Sequence, residues 1–332
     1  MGNESSHLPP GRSFIERTDF IDTPFEQRFQ WLLRLGWKQR TWHVIGAVPR
    51  SGKSFGIDDL LERSGASKEA TGRTYLPLLV IRSPKNRTTE RALCVALAGA
   101  FGVIPKMTAD TLHSWLVAEC VRAQVECIII DDAQDLSVAH LRYLKELTDD
   151  LAALPHRRQV GLCLVSATYG EAFPLQKELN QTGTLWAQFR ERLDRERPYC
   201  RVPGHTEAEV HDILGAYEEL YRDQFPDLHL RKWTKSIYTC LTDPALDPRS
   251  SRRVVMYHLS TFVRLSLKRA AEARLTNVDK SIMETVANLM TLRRDEVIDI
   301  DEVPLEDEEL PGNEVTDIDG LPPEDEEPPG EE

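Results

Sequence analysis

Two short stretches of the sequence hold residues whose types and spacing are typical of phosphate chemistry. The first, IGAVPRSGKS (45–54), ends in Gly52, Lys53 and Ser54, the last three positions of the pattern G-x-x-x-x-G-K-[ST]. In that pattern backbone N–H groups surround phosphates, the lysine reaches the β- and γ-phosphates, and the hydroxyl binds Mg²⁺. Ala47 stands where the pattern begins with glycine, and alanine is tolerated there if φ is not positive.

The second stretch, ECIIIDD (126–132), is an apolar run that ends in two carboxylates. We expect Asp131 to hold Mg²⁺ and Asp132 to orient the water that attacks the γ-phosphate. Glutamate is usual at the second position, and aspartate is one methylene shorter. A displacement of about 1 Å can cost on the order of 100-fold in rate. Together the two stretches predict a site for ATP and Mg²⁺ in which hydrolysis is slow.

Further residues complete the predicted nucleotide site. The residues expected to contact the nucleotide around the loop are Ala47, Pro49, Arg50, Ser51, Gly52, Lys53, Ser54 and Phe55. Ser166, in the apolar stretch QVGLCLVSAT, is the candidate that senses the γ-phosphate, with Thr168 second. These assignments predict one site built from several separate segments.

Arginines are candidates for stabilising the charge of the transferred phosphate, as trans-acting fingers do. Arg190 or Arg192, in LWAQFRERLDRER, is predicted to reach the nucleotide of a neighbouring copy. Arg252 and Arg253 are predicted at a helix start, from which a sensor arginine would move onto the nucleotide.

Positioning these side chains requires an ordered succession of elements. Strands are predicted at 41–48, 75–83, 126–132, 159–168 and 199–203, with helical patterns between them. Such alternation is typical of a parallel, three-layer α/β sheet. We therefore predict a flexible N-terminal arm at 1–24, an α/β core at 25–204, a small all-helical lid at 205–294 and a disordered acidic tail at 295–332.

The tail accounts for the negative charge of the chain. Residues 295–332 hold 18 of the 54 acidic residues and no Lys or Arg. The remaining 36 acidic residues face 41 basic ones, so the body is mildly basic, at about +5, and nucleic acid is a candidate partner. The tail also repeats itself, since 297–312 and 315–330 are identical at 11 of 16 positions. A solvating acidic tail and a duplicated docking motif both remain open.

The sequence shows no apolar run near the ~20 residues that span a bilayer, and the N-terminus shows no secretory signal. The six cysteines form no C-x-x-C motif, which favours reduced thiols. We therefore expect a cytoplasmic protein with no membrane partner.

Four stretches carry a resemblance to a known family. AVPRSGKS, IIIDDAQDL, LCLVSAT and SSRRVVMYHLSTFVRLSLKRAAEARLTNVDKS resemble the TnsC/TniB group of AAA+ transposition regulators, which are relatives of MuB. The resemblance covers about 25–290 and implies an AAA+ P-loop NTPase core followed by a helical lid. The sequence departs from the family at Ala47, at Asp132 and at SAT, where the family often has GTP. These departures concern the rate of hydrolysis more than the binding of ATP.

The resemblance also implies partners. Members of this family assemble in the ATP state as a ring or helical filament around duplex DNA and grip its phosphates. They link a target-selection factor, of the TniQ type in CRISPR-associated elements, to the transposase, and hydrolysis drives disassembly. The positions that match the DNA-tracking segments are Lys85, Arg87, Thr88, Lys106, Thr108 and Thr111. In this setting the tail would dock on the transposase or another partner, or mask the DNA-binding surface of the body.

Other functions fit parts of the pattern. The DDAQ and SAT stretches also resemble the acidic box and the Ser-Ala-Thr motif of superfamily 2 helicases, but the helical residues after 200 are too few for a second RecA-like domain. A helicase-loader-like AAA+ protein or a signalling NTPase remains open. A scaffold that binds ATP without hydrolysing it also remains open.

Overall fold

The computed structural model describes residues 21–68, 74–85, 88–103, 106–153, 158–168 and 173–291. Within these residues the strands are β1 Trp42–Ala47, β2 Ser67–Lys68, β3 Thr74–Tyr75, β4 Leu78–Arg82, β5 Cys127–Asp131, β6 Gly161–Ala167 and β7 Tyr199–Val202. The helices are α1 Pro24–Gln39, α2 Lys53–Glu62, α3 Glu90–Ala100, α4 Ala109–Arg122, α5 Val138–Ala153, α6 Pro174–Leu179, α7 Thr184–Arg192, α8 Glu207–Leu220, α9 Thr234–Leu241, α10 Met256–Glu272 and α11 Lys280–Thr291. The predicted alternation of strands and helices is present.

A five-stranded parallel sheet, in the order β4-β5-β6-β1-β7, forms the middle layer. All residues of β1 and β5 are buried, as expected for parallel strands covered on both faces. Register aligns the strand ends, because Ala47 pairs with Ala167 and Arg82 pairs with Asp131. The carboxyl ends therefore share one edge of the sheet, where α/β folds place their ligands.

Helices cover both faces of this sheet. On one face α1 and α2 pack onto Ile45 and Ile129, α1 through Phe25 and Phe29 and α2 through Ile57. On the other face α3, α4, α5, α6 and α7 surround a larger core. Phe29 is fully buried, and removing such a side chain from water contributes about 1.5–3 kcal/mol. The three-layer α/β architecture is confirmed.

The helices after β7 enclose a core of their own, which includes Leu214, Phe262 and Val286. The first of them, α8, starts at a capping box in which Thr206 accepts from the Glu209 N–H and Glu209 accepts from the Thr206 N–H. Two N–H groups of the helix start are thereby satisfied. The proposed domain boundaries, 1–24, 25–204, 205–294 and 295–332, stay predictions, and residues 1–20 and 292–332 lie outside the described residues.

Two local features differ from the sequence expectation. A small antiparallel ribbon, β2–β3, follows α2 and was not predicted. The helix start predicted at Arg252 and Arg253 is not found there, because α10 begins only at Met256 and both arginines precede it. The reason is a non-local backbone pairing: His205 and Val254 exchange hydrogen bonds of 2.8 and 2.9 Å, so the backbone of Val254 pairs with a distant segment and not within a helix.

Candidate functional site

The loop between β1 and α2 has the backbone that a phosphate-binding turn requires. Gly52 precedes α2 with φ 102°, a left-handed conformation that glycine adopts without the Cβ penalty. A Cβ built on Gly52 would meet no atom within 4 Å, so the loop leaves space there. Arg50 is also left-handed, with φ 62°. Ala47 lies in the extended strand β1, so the alanine in place of glycine causes no backbone strain.

Lys53 is the first residue of α2 and is buried, with 7% of its surface exposed. Its Nζ donates to the Val48 carbonyl at 3.4 Å. Burial lowers the pKa of Lys53, while the Asp131 and Asp132 carboxylates oppose that shift. A buried cation at a helix N-terminus is a strong attractor for phosphate.

Ser54 and Asp131 meet where α2 begins and β5 ends. The Ser54 hydroxyl donates to Asp131 Oδ2 at 2.5 Å, and Asp131 is buried. Hydroxyl and carboxylate oxygens are the ligands that Mg²⁺ prefers. The fold thus brings together the two residues predicted as metal ligands.

Asp132 lies beside them in a left-handed conformation, with φ 55°. Its Oδ2 is 3.7 Å from Arg82 Nε and 3.9 Å from Lys85 Nζ. Its Oδ1 accepts from the Gln134 side-chain amide at 3.4 Å. The predicted water-orienting carboxylate is therefore surrounded by donors from β4 and from the turn after β5.

Three buried residues with hydroxyl groups lie in the phosphate loop and at the end of β6, namely Ser51, Ser166 and Thr168. Ser166 is in register with Gly46, and its Oγ has no hydrogen-bond partner among the described residues. The Ser51 Oγ is likewise buried without a partner in the described part of the chain. Thr168 is buried, and its N–H donates to the Ala47 carbonyl at 2.9 Å. Unpaired buried hydroxyls at a phosphate loop fit a polyanionic ligand, since a buried polar group without a partner is costly.

The predicted arginines are engaged with their own chain. Arg190 donates to the carbonyls of Leu179 and Gln181 at 2.6 and 3.0 Å. Arg192 forms an ion pair with Asp149 and lies over the Trp42 ring, 5.3 Å from its centroid.

In the lid, the Arg252 carbonyl accepts from the Tyr238 hydroxyl at 2.7 Å. Arg253 is half-buried next to the Val254 pairing. Neither is brought to the phosphate loop by a contact that the structure describes.

A different residue provides the link from lid to loop. The Tyr257 N–H donates to the Arg50 carbonyl at 3.3 Å, and the Arg50 guanidinium lies 4.8 Å from the Tyr257 ring centroid.

The predicted DNA-contacting residues fall in two places. Lys85 follows β4 and faces Asp132, as above, while the Thr88 carbonyl accepts from the Ser137 hydroxyl at 2.9 Å. Thr108 precedes α4, and its hydroxyl is 2.9 Å from that of Thr111; Lys106 is exposed just before them. Arg87 lies outside the described residues.

Sequence reasoning missed three residues of this neighbourhood. Arg82 and Gln134 contact Asp132, and Tyr257 contacts the phosphate loop. Phe55, which was predicted, is an exposed aromatic on the first turn of α2. The sequence contained a signal for Arg82: it is a cation at the end of an apolar strand, and parallel strands end at the same edge of the sheet, where Asp131 also lies. The sequence contained no signal for Tyr257, because its contact joins two distant segments.

Residues 38–170 match the family model described as "AAA domain", and this part of the chain is an AAA-type P-loop domain. No curated protein matches the sequence. The fold is similar to Cdc6p from Pyrobaculum aerophilum, with TM-score 0.58, 14% identity, and coverage of 83% of this chain and 70% of that one. It is also similar to Aeropyrum pernix ORC2 in its ADPNP-ADP complexes, with TM-score 0.57, 12% identity and coverage of 83% and 71%. For Aeropyrum pernix ORC1 in complex with DNA the values are 0.52, 15%, 81% and 66%. The chain has the AAA+ fold.

Within the described residues, every helix is too short or too polar to serve as a membrane span.

Proposed function

We propose that this chain is an ATP-dependent AAA+ regulator that assembles on duplex DNA and links a target-selection factor to a transposase, with hydrolysis driving disassembly. One observation carries the nucleotide part of the proposal: Lys53, the Ser54–Asp131 pair and Asp132 converge at one edge of the sheet. The match of residues 38–170 to the AAA domain supports nucleotide hydrolysis.

Each residue of this edge has a distinct task in the proposal. The backbone of the loop and Lys53 would bind the phosphates, Ser54 and Asp131 would hold Mg²⁺, and Ser166 would sense the γ-phosphate. When bound, Mg²⁺ would neutralise part of the negative charge of the phosphates. Asp132 would orient the water. The buried, unpaired hydroxyls of Ser51 and Ser166 support this arrangement. ORC2, a protein of the same fold, is known in complexes with ADPNP and ADP.

The DNA part of the proposal rests on charge and on similarity. The body is mildly basic, and Lys85, Lys106 and Thr88 are available for a phosphate grip that does not depend on base sequence. ORC1, which shares the fold, is known in complex with DNA. Arg190 or Arg192 would complete the site of a neighbouring copy in a ring or filament.

The transposition part rests on the resemblance to the TnsC/TniB group. It implies a transposase and a TniQ-type factor as partners in a bacterial cytoplasm. The acidic tail would dock on a partner or mask the DNA surface. If the tail docks on a partner, truncation at about residue 294 should abolish transposition. If the tail masks the DNA surface, the same truncation should raise nonspecific DNA binding. No change in either measurement would reject both roles.

Electron microscopy of the protein with an ATP analogue and duplex DNA tests the central claim. Rings or filaments threaded by DNA are the expected result. Monomers in every nucleotide condition would overturn the proposal. ATP turnover measured with and without duplex DNA then separates an ATPase from a scaffold that binds ATP without hydrolysing it.

A helicase-loader-like AAA+ protein is the second candidate, because Cdc6p shares the fold. The two candidates differ in their protein partner. ATP-dependent co-purification with a transposase encoded beside this chain's own gene would support the transposition role. Co-purification with a replicative helicase would favour the loader.

A further inference from the structure

We propose that His140 is a positioning residue for DNA binding. Together with Ser137 it holds the backbone of Thr88 and Thr89, at the end of the first predicted DNA-contacting segment, residues 85–88. The inference rests on the proposed function, since it takes duplex DNA as the ligand. It adds a residue that does not contact DNA itself but determines where the contacting side chains lie.

His140 lies in the first turn of α5 and is fully buried. Its Nε2 is 3.0 Å from the Thr89 carbonyl oxygen, and its Nδ1 accepts from the Ser137 N–H at 3.3 Å. A carbonyl can only accept and a backbone N–H can only donate, so the ring proton lies on Nε2 and the ring is neutral. Burial lowers the pKa of His140, which favours this neutral form.

A second hydrogen bond, from Ser137, holds the neighbouring residue. The Ser137 Oγ accepts from the His140 N–H at 3.2 Å, which caps the start of α5. The same hydroxyl donates to the Thr88 carbonyl at 2.9 Å. The carbonyls of two successive residues, Thr88 and Thr89, are thus bonded to one helix start.

These bonds hold a part of the chain that lies outside the sheet. The chain leaves β4 at Arg82 and enters α3 at Glu90. Thr88 and Thr89 are exposed between these two elements. The Thr89 carbonyl also accepts from the Ala92 N–H at 2.9 Å, so His140 holds the first turn of α3 as well. The backbone is held by α5 through its carbonyls, and those bonds do not occupy the side chains.

A phosphate grip depends on such placement, because its hydrogen bonds are short and directional. A segment without the two bonds would have to be ordered when DNA binds, and the lost conformational entropy would weaken binding. A segment that is already held avoids this cost. His140 therefore contributes to DNA affinity although it is buried.

Two substitutions at residue 140 separate the roles of the two ring nitrogens. In His140→Gln the side-chain amide reaches the place of Nε2 and keeps the donor to Thr89. In His140→Asn the shorter side chain keeps only the acceptor for the Ser137 N–H. Each variant loses one buried hydrogen bond, so a general loss of stability would affect both alike.

The first measurement is the affinity of the full chain for a duplex oligonucleotide in the presence of an ATP analogue. We expect His140→Asn to bind about tenfold more weakly than the wild type and His140→Gln to stay within about twofold of it. His43→Asn is the control. His43 is also fully buried, and its ring nitrogens contact the Thr41 hydroxyl and the Arg197 carbonyl. That variant should keep the wild-type affinity for DNA.

The salt dependence of the affinity shows how the loss arises. Each phosphate contact adds about 0.9 to the slope of log affinity against log salt concentration. His140→Asn should lower this slope by about 1 per protomer, because the released segment loses a phosphate contact. A merely destabilised protein would keep the slope of the wild type.

Ser137→Gly tests the second hydrogen bond. Glycine serves nearly as well as serine before a helix, so α5 keeps its start while the donor to the Thr88 carbonyl is lost. We expect DNA affinity to fall about two- to fivefold and ATP affinity to stay unchanged. Should His140→Asn not fold, this variant decides.

The outcomes separate this inference from the proposed function. Equal DNA affinities of His140→Asn and His140→Gln, in a protein whose wild type binds DNA, overturn the inference alone. An equal loss in His43→Asn, or wild-type affinity in Ser137→Gly, does the same. A wild-type protein that binds no duplex DNA in any nucleotide state overturns the proposed function and the inference together.

Discussion

The two sides of the sheet edge hold their charged groups in different ways. On the phosphate-loop side Lys53 is buried, and Ser54 is 2.5 Å from Asp131. On the β4 side Arg82 and Lys85 are mostly exposed and approach Asp132 only to 3.7 and 3.9 Å. The first side holds its charged groups, Lys53 and Asp131, buried, with one short contact between Ser54 and Asp131. The second side is a set of long, solvent-accessible contacts.

This difference suggests a division of labour between the two sides. Contacts excluded from water are weakly screened and keep one geometry, which suits the binding of a fixed ligand. Exposed ion pairs are weak and salt-dependent, so a second polyanion can rearrange them. We infer that the phosphate-loop side binds the nucleotide and that Asp132, on the β4 side, acts on the rate of hydrolysis. The predictions below test that division.

Asp132→Asn should have the largest effect, and it should lower the rate of hydrolysis while the affinity for ATP stays nearly unchanged. A positioned carboxylate that orients or deprotonates water contributes about 10²–10⁴-fold. We expect kcat for ATP, at saturating DNA, to fall at least about 100-fold, while ATP affinity stays within about twofold. The variant should still assemble on DNA and should fail to disassemble. Normal turnover or normal release would show that Asp132 does not act on the water.

Lys53→Ala should affect binding. Hydrogen bonds to charged groups contribute about 1.5–3 kcal/mol, and the variant also leaves Asp131 and Asp132 without their buried cation. We expect ATP affinity to fall about 100-fold and ATP-dependent assembly on DNA to disappear. Isothermal titration measures the first and electron microscopy the second. Lys235→Ala, an exposed lysine of α9, is the control, and an equal loss there would contradict the assignment.

The elements of the core could be predicted closely because local and non-local preferences agree in them. The run of residues that ends at Asp131 is apolar up to that residue. The local sequence pattern and the burial expected for a parallel strand therefore predict the same strand. The strand before Gly52 behaves in the same way. Since all strands run parallel, their ends meet at one edge, and the candidate residues of that edge follow from the strand assignments alone.

The remaining features depend on pairings between distant segments. The start of α10 at Met256 depends on the bonds between Val254 and His205, which no local pattern encodes. The end of an apolar strand places Arg82 at this edge of the sheet, but the contacts of Arg82 and Gln134 with Asp132 depend on the register of β4 against β5 and on the neighbouring β6. Register is a property of the assembled sheet, so a single sequence does not show it.

Glu26→Gln tests how far the phosphate-loop side relies on buried polar groups. Glu26 is 7% exposed and lies near Gly56 of α2. Burial, followed by the charges of Asp59 and Asp22, raises its pKa to about 7 from 4.5. Below pH 4.5 the folded and unfolded chains both keep this proton. Between pH 4.5 and 7 only the folded chain keeps it, so stability falls as pH rises and is constant above.

We therefore expect Glu26→Gln to raise the free energy of unfolding by about 2 kcal/mol at pH 8 and to leave it unchanged at pH 4. Urea unfolding at the two pH values measures the difference. Glu62→Gln, an exposed position of α2, should show no such dependence on pH. The same gain at both pH values would mean that the effect comes from packing and not from titration.

Tyr257→Ala should have the smallest effect, because it removes one contact between the lid and the phosphate loop. The Arg50 guanidinium lies 4.8 Å from the Tyr257 ring centroid, and such a cation–π contact contributes about 0.5–1 kcal/mol at an exposed site. We expect nucleotide to dissociate about two- to fivefold faster, as measured with a fluorescent ADP in stopped flow. Tyr257→Phe keeps the ring and should match the wild type. If Tyr257→Ala releases nucleotide at the wild-type rate, the side-chain contact does not couple the lid to the phosphate loop. The coupling would then lie in the hydrogen bond from the residue 257 N–H to the Arg50 carbonyl, because that bond survives any side-chain replacement except proline.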